Sequence, residues 1–221
     1  MERRVSAELL DDDLGTPTEV AASLRDLQHI NNWFGGTRTT TTLLRRLAQR
    51  DHLSKLSVLE VGSGMGDVPL GAQRALKKIG VDLRVTLLDR LWSHLPDTGA
   101  SAVSGDALRL PFRGETFDVV SCSLFAHHFE PDVLPSFVSE ALRVSRRAVL
   151  INDLIRSRLH LLLVYLGLPL FRSRITWNDA PASVRRAYTM DEMRAILATI
   201  PAARIEFSRH FLFRMGVLIG K

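Results

Sequence analysis

The stretch Val58-Leu59-Glu60-Val61-Gly62-Ser63-Gly64-Met65-Gly66-Asp67-Val68-Pro69 decides the fold. A short β-branched and aliphatic run meets three glycines at alternate positions and passes straight into a helical pattern. The glycines supply backbone freedom at a tight strand-to-helix turn and let a ligand approach the main chain without Cβ obstruction. Behind them Val68, Ala72, Ala75, Leu76 and Ile79 repeat at helical spacing, with Pro69 in the first turn, where a missing N–H does little harm. A strand, turn and helix of this kind cradle a nucleotide.

Outward from this turn, short apolar runs alternate with helical patterns, which points to βαβ units and a parallel sheet. The runs are Val58–Val61, Leu83–Leu88, Ala100–Val103, Phe117–Ser121 and Ala148–Ile151, with helices expected over 67–79, 91–95 and 132–144. A helix over 190–198 and runs at 203–208 and 211–219 close the chain. Before the sheet, residues 1–17 read as a mobile acidic leader. Val20, Leu24, Leu27 and Ile30 then mark a helix broken at Asn31–Gly36, and a second helix follows over Thr37–Arg50. Both helices are expected to be additions outside the sheet, giving a leader and cap over 1–55 and a main domain over 56–221.

After Asp153 the rhythm stops, and residues 155–187 form an insertion holding the apolar run Leu159–Phe171. Interrupted by Gly167 and Pro169, that run is too short to span a bilayer. Three readings stay open for it: a lid over an apolar substrate, a peripheral membrane contact, and a plain core helix.

Composition narrows the function classes. With 221 residues and 46% hydrophobic content the chain can bury a substantial core. Cys122 is the single cysteine, so an intrachain disulfide and a cysteine metal cluster are both excluded, and no metal site is expected. That fits a reducing, cytoplasmic compartment, as does an amino terminus with early acids and no apolar export signal. The net charge of +5 is carried mostly by scattered arginines, without a basic run interleaved with aromatics. Nucleic acid is therefore not the expected partner.

Two cofactor classes use a glycine-rich turn after the first strand. A dinucleotide pattern wants its third glycine where Asp67 stands, and here that glycine falls one residue early, at Gly66. The stretch Leu59–Gly66 instead resembles the first motif of class I S-adenosylmethionine-dependent methyltransferases, particularly the group that methylates quinones and small molecules. The resemblance continues in order through Leu87-Leu88-Asp89, Ser104–Phe112, Phe117–Val120 and the loop Ser123–Phe129, over roughly residues 56–153. It implies a Rossmann-like, doubly wound α/β fold with a mostly parallel seven-stranded sheet whose last strand is antiparallel. It also implies S-adenosylmethionine as cofactor, with Asp89 on the ribose hydroxyls, Glu60 near the amino-acid end and Asp106 at the adenine. Gly62, Ser63, Gly64, Arg90, Ala107 and Ser123 complete the expected cofactor site. The Pro-Gly-Gly element that usually precedes the fifth strand in this family is missing from Arg143–Ala148.

The methyl acceptor is less determined. A hydroxyl acceptor benefits from a histidine base, and the resemblance places His127 and His128 near the transferable methyl. Consecutive loop residues point different ways, so at most one of the two is expected to face substrate. Asp153 and Arg156, after the fifth strand, either shape the acceptor site or pair with each other. The insertion and cap favour a roofed apolar pocket for a phenol or polyketide-like compound. Carbon methylation of a quinone precursor and a non-catalytic cofactor-binding scaffold stand as alternatives.

Overall fold

The computed structural model describes residues 1–96, 100–201 and 204–221. Ala203, at the head of the run expected over 203–208, lies outside them. At the centre is β1 (Lys55–Val61), flanked by β2 (Asp82–Asp89) and β4 (Phe117–Ser123). Outside these lie β3 (Ser101–Ser104) on one side and β5 (Ser145–Leu154) on the other. The sheet ends in a hairpin, β6 (Arg204–His210) and β7 (Arg214–Gly220), giving the order β3-β2-β1-β4-β5-β7-β6. Strands β1 to β5 pair in parallel, whereas β7 runs antiparallel to both β5 and β6. Chain direction through the sheet reverses between β1 and β4, and such a switch point opens a crevice at the carboxyl ends of the strands.

Strand alternation divides the core. Leu59 and Val61 point to one side, with Phe137, Val138 and Ala141 of α4 (Leu134–Val144) and Met193 and Leu197 of α7 (Met190–Leu197). Leu56 and Val58 point to the other, with Leu43, Leu44 and Leu47 of α2 (Gly36–Arg50) and Ala72 and Leu76 of α3 (Asp67–Lys77). Helix α2 is thus a structural layer of the sheet and not an addition to it. Asn152 fixes it there, donating from Nδ2 to the Gly36 carbonyl and the Thr40 hydroxyl, each at 2.9 Å. The boundary drawn at residue 55 does not follow the packing. Cys122, in β4, is fully buried; burial, with Glu60 and Asp153 nearby, pushes its thiol well above the ordinary value.

Two further expectations change. Helix α1 (Pro17–Trp33) runs on through Asn31 and Asn32 and stops only before Gly35, whose φ of +81° ends the helical path. The leader over 1–17 is docked: it forms a one-turn 3₁₀ helix at Leu9–Asp12, and Glu8 is buried. Where the Pro-Gly-Gly element is missing, α4 passes directly into β5 with Ser145 as the joint.

The insertion forms α5 (Arg158–Gly167), a 3₁₀ turn at Leu168–Leu170 and α6 (Arg174–Arg186). Ile175 of α6 packs with Val20 and Leu24 of α1, while Val184 meets Leu154 and Val164. The insertion and α1 close together over the carboxyl edge of the sheet.

Candidate active site

A single cavity of about 890 Å³ runs from the glycine turn to the underside of the insertion. Gly62, Ser63 and Gly64 line its floor, and Asp89, Arg90, Asp106, Ala107 and Ser123 line the end beside the turn. His127 and His128 line the far end, beneath the insertion. The structure thus gathers every residue expected at the site except one.

The exception is Glu60, which lies under the turn and outside the cavity lining. It is fully buried, accepts a hydrogen bond from the Ser121 hydroxyl, and pairs in register with Leu87 and Ser121 at the middle of the sheet. Burial pushes its carboxyl up to about 7, against the opposing hydrogen bonds from Ser121 and Ser123. Alternation along β1 puts this side chain on the sheet face of Leu56 and Val58, beside Ser121 and Ser123 and behind the glycine turn.

Asp89 closes β2 and braces the turn. Its Oδ2 accepts from the Gly64 N–H at 2.8 Å and its Oδ1 from the Leu91 N–H at 3.1 Å. Gly64 has a φ of +49°, and a Cβ there would meet nothing within 4 Å, so the turn opens as a cradle against the cavity. Asp106 folds back on the Leu108 N–H at 2.8 Å, which sets the backbone of its turn and leaves Oδ2 for other partners.

The histidine end is more tightly built. The His127 main-chain N–H donates to Asp153 Oδ2 at 2.8 Å and its ring Nδ1 to Oδ1 at 2.7 Å. Burial raises the Asp153 carboxyl, but the His127 imidazole and the hydrogen bonds of His127 and Leu154 outweigh it, and the group sits below its usual range. With the Nδ1 proton fixed on Asp153, the Nε2 lone pair of His127 is left without a protein partner, buried and facing the cavity. Asp153 and Arg156 do not pair with each other. Arg156 turns away to Glu192, at 2.9 Å from Nη1, and to the carbonyls of Met1 and Ala187.

Charge patterning alone did not mark the leader as part of this site. Glu8 brings Oε1 to 3.7 Å from His127 Nε2 and accepts from the Ser183 hydroxyl of α6 at 2.6 Å. Asp179 of α6 takes the main-chain N–H groups of Leu9 and Leu10 at 2.8 and 3.0 Å. Arg3 donates to the carbonyls of His127, Phe129 and Arg186, and Arg90 to the Asp11 carbonyl. The leader is a strap joining the histidine loop, the insertion and the end of β2. The acid run Asp11-Asp12-Asp13 was its only signal in the sequence.

Residues 58–148 match the sequence profile of the family described as "Methyltransferase domain". Over those residues the chain is similar to a methyltransferase domain. A curated relative, the phthiotriol/phenolphthiotriol dimycocerosates methyltransferase of Mycobacterium leprae (strain TN), is 35% identical over 112 residues, 49% of this chain and 41% of that one. The chain therefore spans about two fifths of that relative's length. Human N-acetylserotonin methyltransferase, solved with S-adenosylmethionine, superposes with a TM-score of 0.61 at 11% identity, covering 92% of this chain and 56% of that one. An S-adenosylmethionine-dependent methyltransferase structure from Methanococcus maripaludis gives a TM-score of 0.56 at 15% identity over 90% and 91% of the two chains. S-adenosylmethionine is the cofactor of this methyltransferase class, and the open glycine cradle braced by Asp89 fits a nucleoside with a charged tail.

Proposed function

We propose that the chain transfers the methyl group of S-adenosylmethionine to the oxygen of a small apolar or aromatic acceptor, a phenol in the first instance. When bound, the cofactor supplies an electrophilic methyl on a sulfonium. The chain's own residues hold it and present the acceptor. Asp89, an acceptor-only carboxylate at the end of β2, suits a ribose diol, and Asp106 suits an exocyclic amine.

The observation that carries the reading is the orphaned Nε2 of His127. A hydroxyl entering the cavity meets there a buried lone pair whose ring is oriented by Asp153, and His127 is the point at which that hydroxyl is activated. The remaining walls act by positioning. Leu24, Leu27 and Phe34 on the α1 side and Leu163 and Phe171 on the insertion side supply an apolar roof that excludes water. The name of the Mycobacterium leprae relative, with its phenolphthiotriol, supports an acceptor oxygen on an apolar or aromatic molecule. So do the exposed Leu159 and Leu162, with Leu166 and Leu170, which are exposed and also line the cavity, where an apolar tail or a membrane surface would lie. Among the described residues no helix is long and apolar enough to cross a membrane.

A radiolabelled methyl-transfer screen over phenols, quinones and fatty acids, with mass spectrometry of the products, tests the proposal. A methyl ether is the expected product. A carbon-methylated ring, or a protein that binds S-adenosylhomocysteine yet methylates none of the acceptors, overturns it.

A further inference from the structure

Glu8, His127 and His128 bring one ligand atom each into a cluster whose members all lie within 4.8 Å of one another. Glu8 Oε1 is 3.7 Å from His127 Nε2, and Glu8 Oε2 is 3.9 Å from His128 Nε2. Two of these atoms, Glu8 Oε1 and His127 Nε2, are buried without any hydrogen-bond partner, on residues only 7% and 1% exposed. An unpaired carboxylate oxygen beside an unpaired imidazole nitrogen is costly in a protein interior unless something sits between them.

The outer partners of both rings point the same way. Asp153 holds His127 by Nδ1 at 2.7 Å, and Asp11 holds His128 by Nδ1 at 3.1 Å. His127 is thereby held with its proton on Nδ1 and its Nε2 lone pair towards Glu8; His128 Nδ1 lies 3.1 Å from Asp11 and 3.4 Å from Arg186 Nη1, with its Nε2 on the Glu8 side. A carboxylate behind each histidine is how metal-binding imidazoles are oriented and made more basic. Arg186 is the one guanidinium that comes within 4 Å of Glu8 and Asp11, among the described residues, at 3.8 and 3.7 Å. Two carboxylates, Glu8 and Asp11, share it, so the cluster has room for further positive charge.

We propose that Glu8, His127 and His128 form a binding site for a first-row divalent transition ion, zinc in the first instance. Two imidazoles and one carboxylate suit such an ion and leave coordination positions open, as in catalytic sites. Bonds of about 2.0–2.2 Å need the ligand atoms to close to roughly 3.0–3.5 Å from one another, a rearrangement of side-chain size. All three residues line the cavity. The inference rests on the O-methylation reading for its chemistry, though not for the binding itself. With the ion bound, His127 Nε2 would hold it instead of accepting the proton, and the ion would supply the Lewis acidity that makes an acceptor hydroxyl beside it more acidic. Glu8 comes from the leader, so the site is complete only when the strap is docked.

The test is metal binding by the chelator-stripped full chain, followed by the ligand-field absorption of Co²⁺ and by competition with Zn²⁺ and, without oxygen, Fe²⁺. One ion per chain is expected, with affinity at least about tenfold weaker in Glu8→Gln and in His128→Gln, and about tenfold to a hundredfold weaker in Asp11→Asn. Retained S-adenosylhomocysteine binding shows that each variant is folded. No binding at micromolar ion, or binding indifferent to both Glu8→Gln and His128→Gln, overturns the inference. Tighter binding of Fe²⁺ than of Zn²⁺ keeps the site and overturns zinc. If the stripped chain methylates phenols at full rate and binds no ion, this inference alone fails. If it binds the ion and the cofactor analogue but methylates no phenol, the proposed function alone fails.

Discussion

Asp153 grips His127 twice, by the ring at Nδ1 and by the main-chain N–H, at 2.7 and 2.8 Å. One carboxylate therefore sets both the tautomer of the imidazole and the path of the loop that carries it. His127→Ala should lower turnover by about a hundredfold or more while leaving S-adenosylhomocysteine affinity unchanged. Asp153→Asn should lower turnover in the same sense, because the amide can present an N–H to Nδ1 and so favour the wrong tautomer. Steady-state kinetics beside calorimetric titration of the cofactor analogue separates the two quantities; a fall in affinity equal to the fall in rate would remove His127 from the chemistry.

Asp89 braces the Gly64 and Leu91 N–H groups with its two oxygens. Asp89→Ala loses that brace together with a charged acceptor facing the cavity. Affinity for S-adenosylmethionine should fall by about tenfold to a hundredfold, the range expected for hydrogen bonds to a charged group. Unchanged affinity would take Asp89 away from the cofactor.

The glycines of the turn should separate by substitution. At Gly66, with φ of +74°, a Cβ would lie 2.7 Å from Leu87 Cδ1, so Gly66→Ala meets both backbone strain and a core side chain. A loss of about 1–3 kcal/mol is expected, seen as a Tm lower by about 3–9 °C. At Gly64 the added methyl finds open space. Gly64→Ala should therefore cost less stability and more cofactor affinity, which a thermal melt with and without S-adenosylhomocysteine reads directly.

The strand–turn–helix at 58–69 and the parallel order of the sheet were legible because they rest on local periodicity and on glycines that few other structures need. Gly62, Gly64, Asp89 and His127 follow from it, since the ends of β1, β2 and β4 all reach one edge. Glu60 lies outside the cavity lining because the motif gives its position along the strand and not what its side chain touches. The leader was illegible for a different reason. Glu8 and His127 are far apart in the chain, and what brings them together is Asp179 and Ser183 on α6, itself placed by packing on α1. Asp153 was correctly set at the carboxyl edge, but its partner depended on Arg156 finding Glu192, which no spacing announces.

Glu60 gives the fold a pH dependence of definite sign. Its carboxyl ordinarily titrates at 4.5 and is pushed up to about 7 by burial in the folded chain. The folded state thus holds the proton more tightly than the unfolded one. The contribution is full below the ordinary value and is lost as pH rises towards about 7, up to about 3 kcal/mol in all. Glu60→Gln removes the titration, so its urea midpoint should gain on that of the parent between about pH 5 and pH 8. A constant difference between the two proteins would assign the dependence elsewhere.

Cys122, with Glu60 and Asp153 nearby, is sealed in the strand that runs from beside the glycine turn to the histidine loop. As the single thiol of the chain it is a sentinel with one post. A thiol reagent has nothing to modify until β4 parts from its neighbours, so the rate of labelling counts how often the floor of the site opens. S-adenosylhomocysteine should slow that count in proportion to its occupancy, and an acceptor held only under the insertion should leave it unchanged. The protein thereby carries its own probe for telling which half of the cavity a ligand has filled.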